Sequence, residues 1–335
     1  MEGRKLQLAG KSTFLVSLPK RWVTNAGLKA GDTLFVDTET DGSVSVRLSS
    51  GTRPQVRRKS FVERGEETRE HLLRKLIGAY ISGFGLIEIR FAPARASFVR
   101  KVAREFCHLV IGPEVIEEAQ GSILIQDLSD PAELSSEKCL RRMHLTVRAM
   151  LEDAVGALKS GNDIVAHDVG LRSQDVSRLY WMVAKQYHLA HGSASEASGV
   201  MWIHGHRLIA KLLERIGDHA QRIATNGATL AGEKGIDPRL IEQLSAARAS
   251  AVAILDKAFN ALVTRNIDAA NEAIDARVEH QKLIDALAHR VAARKGPSLL
   301  TLGTIVDSLS RTAVYASEIA EEAIDLAVST GGEAT

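Results

Sequence analysis

From about residue 132 onward, apolar residues recur at helical spacing and polar residues fill the faces between them. The pattern predicts six helices, at 134–160, 162–191, 198–232, 237–264, 266–294 and 297–330. The expected breaks are Gly161-Asn162, Gly192-Ser193, Gly235 to Pro238, Arg265-Asn266 and Gly296-Pro297. Asp237-Pro238 reads as an N-cap followed by proline at the first helical position, where a missing N–H costs little. The first 50 residues read differently, as short strands at Lys5–Leu8, Phe14–Leu18, Asp32–Asp37 and Val44–Leu48 around one short helix. That helix starts at Pro19 and stops at Gly27, and Asp41-Gly42 is a hairpin turn dipeptide. Residues 53–60 read as a basic linker, in which Arg57, Arg58 and Lys59 are candidate phosphate contacts. Between linker and helices, 61–131 alternates helix and strand, with helices at Glu66–Ser82 and Ala94–Leu109. Strands are expected at Phe84–Phe91, Glu114–Glu118 and Ser122–Leu128. The order suggests a small two-layer α+β module with its helices on one sheet face, serving dimerisation or spacing.

The helical region looks duplicated, as repeats 134–232 and 237–330. Leu158 to Asn162 aligns with Leu262 to Asn266, and Asp175 then meets Glu279. The third helices align Ile209 on Ile305, Leu213 on Leu309, Arg215 on Arg311 and Ile223 on Ile319.

Charge changes this picture at one place. The chain of 335 residues has a formal net charge of +2. Residues 1–60 hold 11 Lys/Arg against 5 Asp/Glu, a net of +6, so the rest sums to −4. A basic head on a mildly acidic body suggests polyanion binding. Aromatic residues make up 4% of the chain, so the core must be aliphatic and rich in alanine, as helices favour. Two cysteines, Cys107 and Cys139, form no CxxC pattern and fit a reduced, cytoplasmic setting. No signal-peptide pattern opens the chain, and no apolar run approaches the roughly 20 residues of a membrane span.

The most specific stretch runs from Leu212 to Ala224. Glu214 and Asp218 stand four residues apart, on one helical face beside the stripe Leu212, Leu213, Ile216, Ala220 and Ile223. Two such carboxylates make half of a metal clamp of the kind bundles assemble from facing helices. Asp175, in mid-helix one turn before Leu179, is the candidate third ligand. The competing expectation is an ordinary surface, with Glu214 paired to Lys211 and Asp218 to Arg222, worth about 0.3–0.5 kcal/mol each. Carboxylate-rich ligation favours Mg, Mn, Ca or iron over a structural zinc. The second repeat has Ser310 and Val314 at the equivalent positions, so at most one site is expected. Four histidines, His188, His191, His204 and His206, flank the second helical hairpin. They would form a transition-metal site or pH switch if antiparallel packing joined them.

The segment Glu-Arg-Ile-Gly-Asp-His-Ala, 214–220, resembles the Glu/Asp-x-x-x-Asp signature of the PhoU family of helical regulators of phosphate transport and signalling. That resemblance implies two three-helix repeats over 132–331, an iron or zinc cluster at the acidic motif, and docking to a phosphate transporter ATPase or a sensor kinase. The head, with Gly10-Lys11-Ser12-Thr13 leading to Leu18-Pro19-Lys20-Arg21 and Gly31-Asp32-Thr33, resembles the AbrB/SpoVT swapped-hairpin DNA-binding domain over 1–52. The form is one associated with archaeal proteins that join this head to a PhoU body. The resemblance implies a homodimer that binds double-stranded DNA, with Arg4, Lys5, Lys11, Lys20 and Arg21 as the contacts.

The expected fold is therefore mainly α, two three-helix repeats preceded by a small α+β module and a swapped-hairpin β head. The expected function is DNA-binding regulation of phosphate uptake, with the body sensing status through a metal (Fe, Mn, Mg or Zn) or a partner. The alternative is an accessory protein that binds no DNA and inhibits a transporter or kinase by contact. No Walker-type loop or Ser/His/Asp spacing points to an enzyme.

Overall fold

The computed structural model describes residues 3–10, 12–38, 44–48, 56–129, 134–160, 163–192, 197–231, 237–294, 296 and 298–329. Residues 1–55 and 56–335 form two compact units.

In the first unit, β1 (Gln7–Ala9) pairs antiparallel with β2 (Thr13–Leu15), and β3 (Leu34–Thr38) with β4 (Val44–Leu48). Between the pairs lies α1 (Lys20–Asn25), which starts after Pro19 and ends before Gly27 in the left-handed region, at φ 67°. Asp41-Gly42 and Lys11 lie outside the described residues. None of the unit's described side chains is buried, and Leu8, Phe14, Val36 and Val44 are each about three-fifths exposed (60%, 64%, 62% and 59%).

The second unit opens with a four-stranded sheet in the order β5-β6-β8-β7. Its strands are β5 (Arg58–Val62), β6 (Leu86–Arg90), β7 (Pro113–Glu118) and β8 (Ser122–Asp127). The end of the expected linker is thus strand β5, parallel to β6 through the crossover helix α2 (Arg69–Ile81). Sequence gave little sign of it, because Arg58, Lys59 and Ser60 look like solvated chain until a neighbouring strand takes their backbone groups. Arg57 lies over the Phe84 ring at 4.5 Å and donates to the Ser82 carbonyl at 2.8 Å. Arg58 pairs with Glu88 at 3.2 Å. Both cations thus make contacts within the module. Thr68 caps α2, accepting from the His71 N–H, and α3 (Ala96–Leu109) follows a single 3₁₀ turn. Ile87, Ile89, Ile123 and Ile125 are buried against Leu72, Leu76, Val102 and Phe106, while Glu88 and Arg90 alternate to the other face. Helices therefore cover one side of the sheet.

The remainder is helical: α4 (Ser136–Ser160), α5 (Asp163–Gly192), α6 (Ala197–Ala231), α7 (Pro238–Thr264), α8 (Ile267–Ala292) and α9 (Ser298–Ser329). The expected ends are met within two residues. Asp237 caps α7 by accepting from Arg239 N–H at 3.0 Å, and Asn266 caps α8 by accepting from Ala269 N–H at 2.9 Å. Helices α4–α6 pack as one set and α7–α9 as another. The sets join chiefly along α6 and α9, with a lesser contact between α4 and α7. One continuous aliphatic core runs through both, from Leu140 and Met150 to Ala320 and Leu326. At the α6–α9 crossing the helices come close at Gly205, where a Cβ would stand 2.7 Å from Leu326 Cδ1. Gly205→Val should therefore cost about 1–3 kcal/mol by overpacking. A shift in the thermal midpoint checks this; an unchanged midpoint would mean that Leu326 yields freely.

Candidate functional site

On α6 the apolar stripe pins the acidic pair in place. Leu213, Ile216 and Ala220 are fully buried, which leaves Glu214 and Asp218 beside one another at the bundle surface. The Lys211 ammonium lies over the Tyr180 ring at 4.6 Å and forms an ion pair with the Glu214 carboxylate. Desolvation, then the nearby Glu214 charge, pushes the Asp218 carboxyl above its ordinary value. Asp175 instead pairs with Arg178, at 3.6 Å on its own helix. The three expected ligands are not assembled. Among the described residues no group of three His, Cys, Asp or Glu side chains is placed to hold a metal ion. The site offers two carboxylates, one already neutralised by lysine, which is short of the six to eight oxygens of a calcium shell or of a four-ligand transition-metal site. The described residues do not fit the implied metal, and no step below depends on one.

Nor do the described histidines form a metal-binding group. His188 and His204 both pack on Tyr187, with ring centroids 5.4 Å and 5.5 Å away. The His191 side chain lies outside the described residues. His206 turns inward, 2% exposed, and its Nδ1 is 2.8 Å from Ser136 Oγ. Burial lowers its pKa to about 4. Burial also lowers His144, His219 and His280, each at a contact between helices. His144 meets Asp256 at 2.8 Å and stacks on Phe259 at 4.2 Å. His219 lies beside Tyr315, and His280 is 3.2 Å from Ser250 Oγ.

Next to His206, a cleft of 110 Å³ opens between α4, α6 and α7. Its floor is Leu140, Phe259 and Leu262, and Trp202 and Val263 form its walls. Glu137, Arg141 and Arg265 stand at the rim. The Trp202 Nε1–H points to Glu137 Oε1 at 3.5 Å, and the Arg265 guanidinium covers the indole at 4.7 Å. Arg265 has φ 54°, the one positive φ at a non-glycine residue among the described residues. That conformation costs an L-residue roughly 1–2 kcal/mol and is normally left to Gly or Asn. From sequence, Arg265 is only the break before the Asn266 cap; the signal that singles it out is arginine in a glycine's place.

The module is tied to the bundle by a buried ion pair. Lys185 of α5 and Asp127 at the end of β8 have side chains only 5% and 7% exposed. Lys185 also donates to Ser129 Oγ at 2.9 Å and lies over the Tyr80 ring at 4.8 Å. Asp127 Oδ1 accepts from the Ser129 N–H and hydroxyl, at 3.0 Å and 2.6 Å. Trp181 joins the module's core, and Tyr80 donates to the Ile111 carbonyl at 3.0 Å. Sequence reasoning missed this pair, because its partners are 58 residues apart and neither sits in a motif. In the first unit, Arg4, Lys5, Lys20 and Arg21 are exposed.

Residues 140–226, from α4 into α6, match the family model described as PhoU domain. The second helix set lies outside the matched span, in keeping with Ser310 and Val314 replacing the acidic pair. No curated protein matches the chain. Among solved structures the chain is similar to the crystal structure of PhoU from Pseudomonas aeruginosa, with TM-score 0.54 and 20% identity over 58% of this chain and 96% of that one. It is likewise similar to the phosphate transport system regulatory protein PhoU from Streptococcus pneumoniae, with TM-score 0.51 and 20% identity over 60% and 95%. The helical body thus has the fold of the PhoU regulators, and its first helix set carries the PhoU domain signature. No helix of the described residues is long and apolar enough to cross a membrane.

Proposed function

We propose that this protein is a homodimeric, DNA-binding regulator of phosphate uptake. Its basic head contacts operator DNA, and its PhoU-like body reports phosphate status by docking a partner protein. One observation carries the reading: a PhoU-fold body is joined to a head that is basic and in which none of the described side chains is buried. A unit of some 50 residues with Leu8, Phe14, Val36 and Val44 in solvent cannot meet its conformational entropy cost alone. A second copy interleaved with it, as in swapped-hairpin dimers, would cover those residues. It would also double Arg4, Lys5, Lys11, Lys20 and Arg21 into one basic surface. Regulation then requires a signal that binds the DNA-competent and incompetent dimers unequally.

The test is binding of the full chain to promoter fragments of its own phosphate-transport genes, with salt titrated between 50 and 200 mM. Lys20→Ala/Arg21→Ala removes four cations per dimer, so the slope of log K against log salt should flatten by about 3–4. Binding to no fragment, or binding indifferent to both salt and this substitution, would make the head a dimeriser only. The function would then be the accessory one, inhibition of a phosphate transporter or sensor kinase through contact.

A further inference from the structure

The cleft at Trp202 has three properties that together describe what enters it. The first is size. Small-molecule sites usually enclose about 300–1,000 Å³, and this cleft is 110 Å³. A cavity of about 150 Å³ lined by aliphatic and aromatic side chains takes one benzene. The cleft is therefore too small for a cofactor and matches one aliphatic side chain. The second property is its lining. Leu140, Phe259 and Leu262 at the floor are nearly fully buried, so an entering group meets a finished apolar wall.

The third property is charge. Arg141 stands at the rim and also borders an adjoining shallow groove along α4, with Arg142 and Leu145. Neither Arg141 nor Arg142 has a carboxylate partner among the described residues, whereas Arg148 and Arg172 nearby are paired with Asp256 and Asp153. Leu145, one turn beyond Arg141 on α4, is 62% exposed. Across the cleft Arg265 is held in the left-handed conformation that sets its guanidinium over Trp202. Backbone strain of this kind persists where the side chain it positions is used. Arg141 and Arg265 thus rim the apolar hole and Arg142 borders the groove with the exposed leucine, while among the residues lining the hole the one carboxylate is Glu137, which faces the Trp202 N–H.

We propose that this face is a docking site for an acidic amphipathic helix of a partner protein. One aliphatic residue of that helix fills the hole between Trp202, Phe259 and Leu262. A second packs on Leu145, one or two turns away, and its carboxylates meet Arg141, Arg142 and Arg265. Such a helix-in-groove mode reads anchors at helical spacing, and the aromatic and arginine rim is the composition of an interaction hot spot. The inference rests on the partner-docking half of the function proposed above and supplies the chemistry of that partner.

The experiment selects a phage-displayed library of helical peptides against the full-length protein. Selected peptides are then measured by fluorescence anisotropy on wild type and on Arg141→Glu, Arg265→Gly and Val263→Asp. Arg265→Gly removes the cation while relieving the backbone, so a loss of binding there cannot be misfolding. Val263 is 43% exposed, which lets Val263→Asp obstruct the hole without emptying the core. Expected are peptides rich in Asp and Glu with one fixed aliphatic position. Their binding should weaken about tenfold in each variant, the scale of one interfacial charge pair or anchor, and should fall as salt rises. Selected peptides that are neutral or basic, that bind the variants like wild type, or that fail to emerge would overturn the proposal. A change in oligomeric state of the Arg141→Glu chain by sedimentation would also overturn it, by making a second copy the occupant. DNA binding is read on the same variants. Its survival with peptide binding lost separates this site from the head, and its absence in wild type sinks the regulator reading while leaving the docking measurement intact.

Discussion

Lys185→Met lowers the stability of the second unit by about 3–5 kcal/mol, because it leaves the Asp127 carboxylate buried without its cation. Asp127→Ala has a similar cost from the other side, stranding the ammonium over the Tyr80 ring. The double variant Asp127→Leu/Lys185→Met is less destabilised than either single one, since two apolar groups of similar size need no partners. Gly112→Ala acts through the same place. Its φ of 100° is strained for any other residue, and a Cβ there would stand 2.6 Å from Asp127 Oδ1. Trp181 packs against the module core and reports the junction, so urea unfolding followed by its fluorescence measures all four variants. If the single substitutions cost less than about 1 kcal/mol, the pair is hydrated in solution and does not hold module to bundle.

Acid weakens the helical bundle well before its carboxylates are fully protonated. Burial depresses the folded-state pKa of His206 from 6.5 to about 4, and it lowers His144, His219 and His280 as well. A depressed histidine pKa means that the unfolded chain binds the proton first. The stability it confers is present above pH 6.5 and is lost as pH falls toward the folded value. For His206 alone the loss across that window is on the order of 3 kcal/mol. The carboxyls of Asp218, Glu318 and Glu322, raised chiefly by desolvation, act with the opposite sign. His206→Gln keeps a polar group for Ser136 and removes the titration. The proton uptake on unfolding near pH 5, obtained from denaturation midpoints across pH, should drop by about one. An unchanged pH slope would show that His206 is already protonated in the folded protein.

The helical half was legible because its determinants are local. An apolar stripe every three to four residues, Asp237 and Asn266 as caps, and glycine with proline at the restarts specify helices without reference to anything distant. Strand β5 was not legible, because Arg58 to Val62 are a strand only when β6 lies beside them. The acidic pair was legible as a spacing, and the partner of Glu214 was the near one, Lys211. Its expected third ligand was not met, since Asp175 was close enough to satisfy Arg178 on its own helix. Likewise, of the histidines clustered in sequence, His188 and His204 pack on Tyr187 while His206 turns inward to Ser136 once the helices pack.

Sequence by itself determined the helix count and their ends, the apolar faces that must meet, and the basic charge of the head. Each follows from composition and short-range spacing, which are properties of a few adjacent turns. Only the tertiary structure decided which polar groups lose water together. It placed Lys185 against Asp127, His206 against Ser136, and Arg265 over Trp202 beside an apolar hole. Those pairings join residues 58, 70 and 63 positions apart, the last from 202 and 265. Burial sets the energies of the first two, and burial exists only after α4 to α9 and the sheet have closed on one another.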